Sequence, residues 1–252
     1  MMIDYFLFTS CGNDSVALMQ WAYDRYLPNV LVVYNDTGWH HPDWEQRIEE
    51  VDQLAGDMGF MFVRTKGIGM QELCEKKQIT PAFRRQFCTQ ELKIKPSLEL
   101  MDEHDPNKES TVLIGVRREE SARRSTFPEH TEESVGHGGR SLWAPLVRYT
   151  EEQRDSLLKA TEIDILPHRS RECFPCIYQR KEGIAEMSEE DIIKVEKIEK
   201  ITGSAWFNPN SKQGNNNIRD VVKWARTNNY KKSNPNQIEL LDVGCDSGYC
   251  GD

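Results

Sequence analysis

The sequence contains no uninterrupted apolar stretch near the ~18 to 20 residues that a membrane-spanning helix requires. Met1 to Ser10 likewise has no cationic region ahead of an apolar run, so the expectation is a soluble, cytoplasmic protein without membrane contact. Positive charge is in deficit: 32 Lys and Arg face 41 Asp and Glu, a net −9. The chain therefore lacks the basic field that dominates nucleic-acid affinity, and any anion site must be local. No internal repeat is present. Seven cysteines form an odd, unevenly spaced set in an unexported chain, which argues against a disulfide framework and for metal, cluster or redox chemistry. What remains is ample for a core, since 252 residues, 38% of them hydrophobic and 9% aromatic, suit one large domain or two unequal ones.

The apolar, β-prone run Ile3 to Thr9 passes through a short turn into a helical pattern at Val16, Leu18, Met19, Ala22 and Tyr23. Val30 to Tyr34 is apolar on both faces, as a buried parallel strand is, and Phe60 to Arg64 and Thr111 to Val116 read as further strands. Asp43 to Met58, Met70 to Lys77 and Glu91 to Met101 read as the intervening helices. Strands alternating with helices predict an α/β fold, a parallel sheet with helices on both faces and ligands at the carboxyl ends of the strands. Phe127 to Arg140 is polar and is expected to be a mobile loop acting as a lid. Glu151 to Thr161 and Ser188 to Thr202 read as helices, and Asn208 to Asn217 as a linker. The expected division is an α/β domain over residues 1–165 and a Cys-rich helical region over 166–252 packing on the site.

Four segments carry chemistry. At the end of the first strand, Ser10-Cys11-Gly12-Asn13-Asp14-Ser15 opens a helix, so backbone N–H groups there face an anion, with the Ser10 and Ser15 hydroxyls as further donors. Asp14 and Ser15 also suit a plain N-cap. After the second strand, Asp36-Thr37-Gly38 supplies an acceptor for a ribose hydroxyl or adenine amine and a glycine for close approach. Arg84, Arg85, Lys93 and Lys95 surround Cys88, a field that lowers a thiol's pKa and attracts sulfate or phosphate. Finally, Gly115 leads into Arg117, Arg118, Arg123 and Arg124, whose guanidinium forks suit phosphate or sulfate, unless Glu119 and Glu120 neutralise them.

These segments resemble, in order, the motifs of one family. The first resembles the Ser-Gly-Gly-x-Asp-Ser loop of PP-loop adenine-nucleotide enzymes, with Cys11 at a glycine position and Asn13 where many ATP-cleaving members carry Lys. Asp36-Thr37-Gly38, Cys88 with Lys93 and Pro96, and Gly115 with Arg117, Ser121 and Arg124 resemble segments of the adenylyl-sulfate and phosphoadenosine-phosphosulfate (PAPS) reductases. Pro145-Leu146, followed by Tyr149 and Thr150, resembles that family's Pro-Leu-x-x-Trp-Thr connection. The resemblance implies a PP-loop fold. It also implies nucleotide contacts from Ser10, Gly12, Asn13, Asp14, Ser15, Asp36, Thr37, Gly38, Gly115 and Arg117. Sulfate or phosphate would be held by Arg84, Arg85, Lys93, Arg118, Arg123 and Arg124.

Cys173-Phe174-Pro175-Cys176 is a Cys-x2-Cys pair able to place two thiolates on one metal. By resemblance, Cys88, Cys173 and Cys176 stand where three ligands of a 4Fe–4S cluster fall. Three arrangements compete for Cys245 and Cys250. Cys245 completes the cluster and Cys250 is the catalytic nucleophile; or Cys173, Cys176, Cys245 and Cys250 bind a structural Zn²⁺; or three cysteines hold a cluster with an open iron. Cys11 and Cys74 read as small buried hydrophobes.

The leading expectation is a PAPS or adenylyl-sulfate reductase-like enzyme in which Cys250 attacks sulfur and a thioredoxin-type thiol releases sulfite. One alternative is a PP-loop ATP pyrophosphatase or sulfurtransferase using a cluster to modify a nucleobase. The other is a non-catalytic nucleotide-binding module with structural cysteines.

Overall fold

The computed structural model describes residues 2–227, apart from 83, 84, 123 and 208–216. Six strands form one sheet: β1 (Tyr5–Thr9), β2 (Val30–Asp36), β3 (Met61–Lys66), β4 (Thr111–Leu113), β5 (His130–Ser134) and β6 (Arg140–Trp143). Their order is β3-β2-β1-β4-β6-β5, with every pair parallel except β5 with β6.

Alternation along the strands explains how both faces are covered. Leu7 of β1 and Val30, Val32 and Tyr34 of β2 enter one core, under α1 (Asn13–Asp24), α2 (Trp44–Asp57) and α6 (Glu151–Leu158). Phe6, Phe8, Leu31 and Val33 enter the opposite core with Met101 of α5 (Lys95–His104). At roughly 1.5–3 kcal/mol per fully buried large side chain, a one-residue slip that exchanged these faces would be prohibitive, so the register is fixed.

A third core joins the later part of the chain to α3 (Met70–Lys77) and to Trp39, just beyond β2. Met70 and Leu73 of α3 pack there with Leu92, Phe174 and residues of α8 (Glu189–Thr202) and α9 (Ile218–Ala225). Between α3 and α5 lie the short α4 (Phe87–Thr89) and a π-helical turn, Gln90–Ile94; α7 is Lys181–Ala185. Helix α8 is delimited by a capping box, Ser188 with Asp191, and by Gly203 at φ +64. No helix among the described residues is long and apolar enough to cross a membrane.

One expectation is corrected. Phe127 to Arg140 is not simply a loop, because His130–Ser134 forms the edge strand β5. Its sequence, His-Thr-Glu-Glu-Ser, has no apolar alternation to read. It is a strand because β6 offers an antiparallel edge, Gly138 and Gly139 supply the left-handed turn at φ +68 and +88, and His130 stacks on Trp143 at 5.1 Å.

Candidate active site

The order of strands changes direction between β1 and β4, and the carboxyl ends of those two strands meet there. Gly115 makes the approach possible: a Cβ at that position would lie 2.8 Å from the Asp14 carbonyl oxygen.

The turn after β1 is held from within and behind. Cys11 N–H donates to Thr9 Oγ1 (2.9 Å), Gly12 N–H to Ser10 Oγ (3.3 Å), and Ser15 Oγ–H to the Gly12 carbonyl (3.0 Å). Ser10 and Ser15 thus shape the turn. From α2, Trp44 Nε1–H donates to the Ser10 carbonyl and Arg47 Nε–H to that of Cys11, both at 3.1 Å. Cys11 has φ +58, the left-handed conformation glycine adopts most readily. It is buried, as is Cys74, and burial pushes the Cys74 thiol up to about 12. Helix α1 begins at Asn13 with no side-chain cap, so its first-turn N–H groups meet no competing side chain. The Asn13 amide instead exchanges two 2.9 Å hydrogen bonds with the backbone of Leu166.

A cavity of about 700 Å³ lies before this turn. Asn13, Asp14, Thr37, Arg117 and Lys93 line it together with Cys88, Cys173 and Cys176. Asp14 pairs with Arg117 and lies 3.5 Å from Arg154 Nη1, while Lys93 is buried against Glu172. The neighbouring Cys176 thiol, burial and Cys88 hold the Cys173 thiol well above its usual pKa, opposed by the Lys93 ammonium.

Other expected residues are directed elsewhere. Arg118 donates to the Phe127 carbonyl at 2.8 and 3.0 Å, and Arg124 pairs with Glu120 at 2.6 Å, so part of the arginine loop is neutralised internally. Arg85 donates to the Thr80 carbonyl at 3.3 Å. Asp36 accepts from Gly38 N–H at 2.8 Å and pairs with Arg64 at 2.9 Å. Burial alone would raise its pKa, but the His40 imidazole 3.7 Å away and the hydrogen bonds from Gly38 N–H and Arg64 keep it well below the usual carboxylate range. Gly38, at φ +62, would place a Cβ 3.2 Å from Gly69 Cα, so its bareness serves the packing of α3's start. Arg84, Arg123, Cys245 and Cys250 lie outside the described residues.

Three contributors were not anticipated. Arg154 reaches the turn from α6, whose capping box marks the helix start but says nothing of the guanidinium's target. Glu172 is hidden beside the more conspicuous Cys173. Arg47 did have a signal: it shares α2's buried face with Trp44, Ile48, Val51 and Ala55, and a cation there needs an acceptor.

For a metal, the thiols supply suitable chemistry but incomplete grouping. Among the described residues, no three His, Cys, Asp or Glu side chains gather closely enough to hold an ion between them. Cys245 and Cys250, which complete the expected cluster or Zn²⁺ site, lie outside the described residues.

A parallel sheet bearing a Ser-Cys-Gly-Asn-Asp-Ser turn and an arginine loop at its switch point defines an α/β protein of the PP-loop class. Residues 4–174 match the phosphoadenosine phosphosulfate reductase domain, and the chain belongs to that family. An uncharacterized 37.8 kDa protein in the gpa 5′ region of Escherichia phage 186 is 26% identical over 198 residues, 71% of this chain and 53% of that protein. The chain thus spans about half of that relative's length. Among solved structures, phosphoadenylyl-sulfate (PAPS) reductase from Candida auris, a phosphate complex, has TM-score 0.44 and 16% identity over 66% of this chain and 76% of that one. Candida glabrata FMN adenylyltransferase in complex with ATP has TM-score 0.42 and 13% identity, covering 62% and 45% respectively.

Proposed function

We propose that the chain binds an adenine sulfonucleotide, either PAPS or adenylyl sulfate, and reduces its sulfur to sulfite with protein thiols that a thioredoxin-type dithiol restores. The observation that carries this reading is the shared cavity: the start of α1 is on one side, and Cys88, Cys173 and Cys176 line the same space.

The parts suit the chemistry. The uncapped helix start and Arg117 favour a phosphate. A thiolate attacking the sulfate sulfur needs cations nearby to offset charge, and Lys93 and Arg154 line the cavity. Asn13 favours a sulfonucleotide over ATP pyrophosphate cleavage, because its amide is engaged with Leu166 where a lysine would have met a longer phosphate chain.

The test is to incubate the protein with PAPS or adenylyl sulfate and reduced thioredoxin. Sulfite and the desulfonated nucleotide are expected. Pyrophosphate release from ATP with no sulfite from either sulfonucleotide contradicts the reading and supports the ATP-activating alternative.

A further inference from the structure

Among the described residues, four buried arginines each have a carboxylate within hydrogen-bonding range: Arg117 has Asp14, Arg124 has Glu120, Arg140 has Asp105 and Arg154 has Asp155. The fifth, Arg47, is 5% exposed, yet its ion-pair partner Glu50 stays 3.9 Å away on the surface. Arg47 Nη2 is buried with no hydrogen-bond partner among the described residues. A guanidinium keeps its charge at any ordinary pH, and a buried cation without a close counter-charge is costly. Such a group calls for an anion nearby.

The turn after β1 lies directly in front of it. Trp44 and Arg47 are three positions apart on α2, hence on one face, and they take consecutive carbonyls, those of Ser10 and Cys11, each at 3.1 Å. In a trans peptide the N–H points opposite to the carbonyl, so both peptides turn their N–H edge away from α2, where Thr9 Oγ1 and Ser10 Oγ accept them. Cys11 is thereby held at φ +58, a conformation unfavourable for any residue with a Cβ. The chain then enters α1, whose first residues, Asn13 and Asp14, line the cavity. Arg47 stands behind this turn and outside the cavity lining.

We propose that Arg47 is a positioning residue of the phosphate turn, holding the Cys11 carbonyl from behind and carrying the positive charge that a nucleotide phosphate on the front of the turn compensates. This deepens the reading above and rests on its nucleotide site, though not on its sulfur chemistry. Without ligand the charge is a burden on the fold, and with ligand it becomes half of an ion pair acting through the turn. Phosphate affinity and ligand-free stability therefore respond to it in opposite senses.

The test measures adenosine bisphosphate binding by calorimetry, and ligand-free stability by urea unfolding, on the full chain handled without oxygen. R47M removes charge and donor, R47Q keeps a donor for the Cys11 carbonyl without the charge, and R47K keeps the charge. R47M and R47Q are expected to bind about tenfold or more weakly, with ligand-free urea midpoints no lower than that of the unsubstituted chain, and R47K to stay within about threefold in affinity. R47Q that binds like the unsubstituted chain overturns the role of the charge. Affinity and stability falling together in all three variants mark a structural prop and overturn it as well. An unsubstituted chain that does not bind adenosine bisphosphate overturns both this inference and the nucleotide site. The expected pattern in a chain that forms no sulfite from either sulfonucleotide supports Arg47's role and overturns the reductase chemistry alone.

Discussion

The Asp14 carboxylate stands between two guanidiniums, paired with Arg117 from the β4 loop and 3.5 Å from Arg154 of α6. Two chain-distant arginines are thereby drawn to the turn where a phosphate is proposed to bind. Removing Arg117 takes away a charged fork and leaves Asp14 facing the anion with one cation fewer. R117A is expected to weaken adenosine bisphosphate binding by about 10- to 100-fold in calorimetry, the range of a lost charge-assisted hydrogen bond. D14N/R117A separates two explanations. If Arg117 only neutralises Asp14, the double variant regains binding; if Arg117 holds the phosphate, it stays weak, which is the expected outcome.

Gly115 is a steric prediction. G115A puts a methyl 2.8 Å from the Asp14 carbonyl oxygen, a backbone atom that cannot rotate away, so the β4 end and the turn must separate. A stability loss of about 1–3 kcal/mol by urea unfolding is expected, with weakened nucleotide binding. Unchanged values for both would show that the two strand ends do not meet as described.

The Lys93–Glu172 pair is buried on both sides. Either K93M or E172Q leaves a lone buried charge, with an expected cost of about 3–5 kcal/mol, whereas K93M/E172Q recovers most of it because no unpaired charge remains. Urea denaturation of the three variants checks this; additive losses in the double variant contradict it.

His137 provides a pH prediction. Burial pushes its pKa down to about 4, against an ordinary value of 6.5. Between those values the unfolded chain binds a proton that the folded chain refuses, so stability rises with pH there. The contribution is fully present above pH 6.5 and is lost as pH falls toward about 4, amounting to about 3 kcal/mol. H137Q is expected to have a flatter urea midpoint over that window than the unsubstituted protein, and parallel curves would contradict the assignment.

The central strands were legible because β1, β2 and β4 are short runs such as Val-Leu-Val-Val-Tyr, which leave little choice but a strand buried on both faces. Strand β5 was not, since a polar edge strand is defined by the partner it pairs with. Residue types at the site were legible while their directions were not: the β4 loop was recognised as arginine-rich, but only coordinates separate Arg117, at the cavity, from Arg118, which hydrogen-bonds to a carbonyl of its own loop. Local sequence carries no record of contacts such as Asp14 with Arg154, 140 positions apart. That Cys88 lines the same cavity as Cys173 and Cys176 is likewise a long-range relation that local sequence does not record.

The sharing of one nucleotide-sized space by a phosphate-type turn and the thiols is the relation on which the proposed function turns. Its most direct test is thiol footprinting: the reduced, oxygen-free protein is pulsed with iodoacetamide, with and without saturating adenosine bisphosphate, and alkylation of each cysteine is followed by mass spectrometry. Nucleotide is predicted to slow alkylation of Cys176 and Cys88 at least tenfold in the unsubstituted chain, and to do so far less in R117A. Nucleotide that binds tightly yet leaves those rates unchanged would place its site away from the thiols and contradict the account.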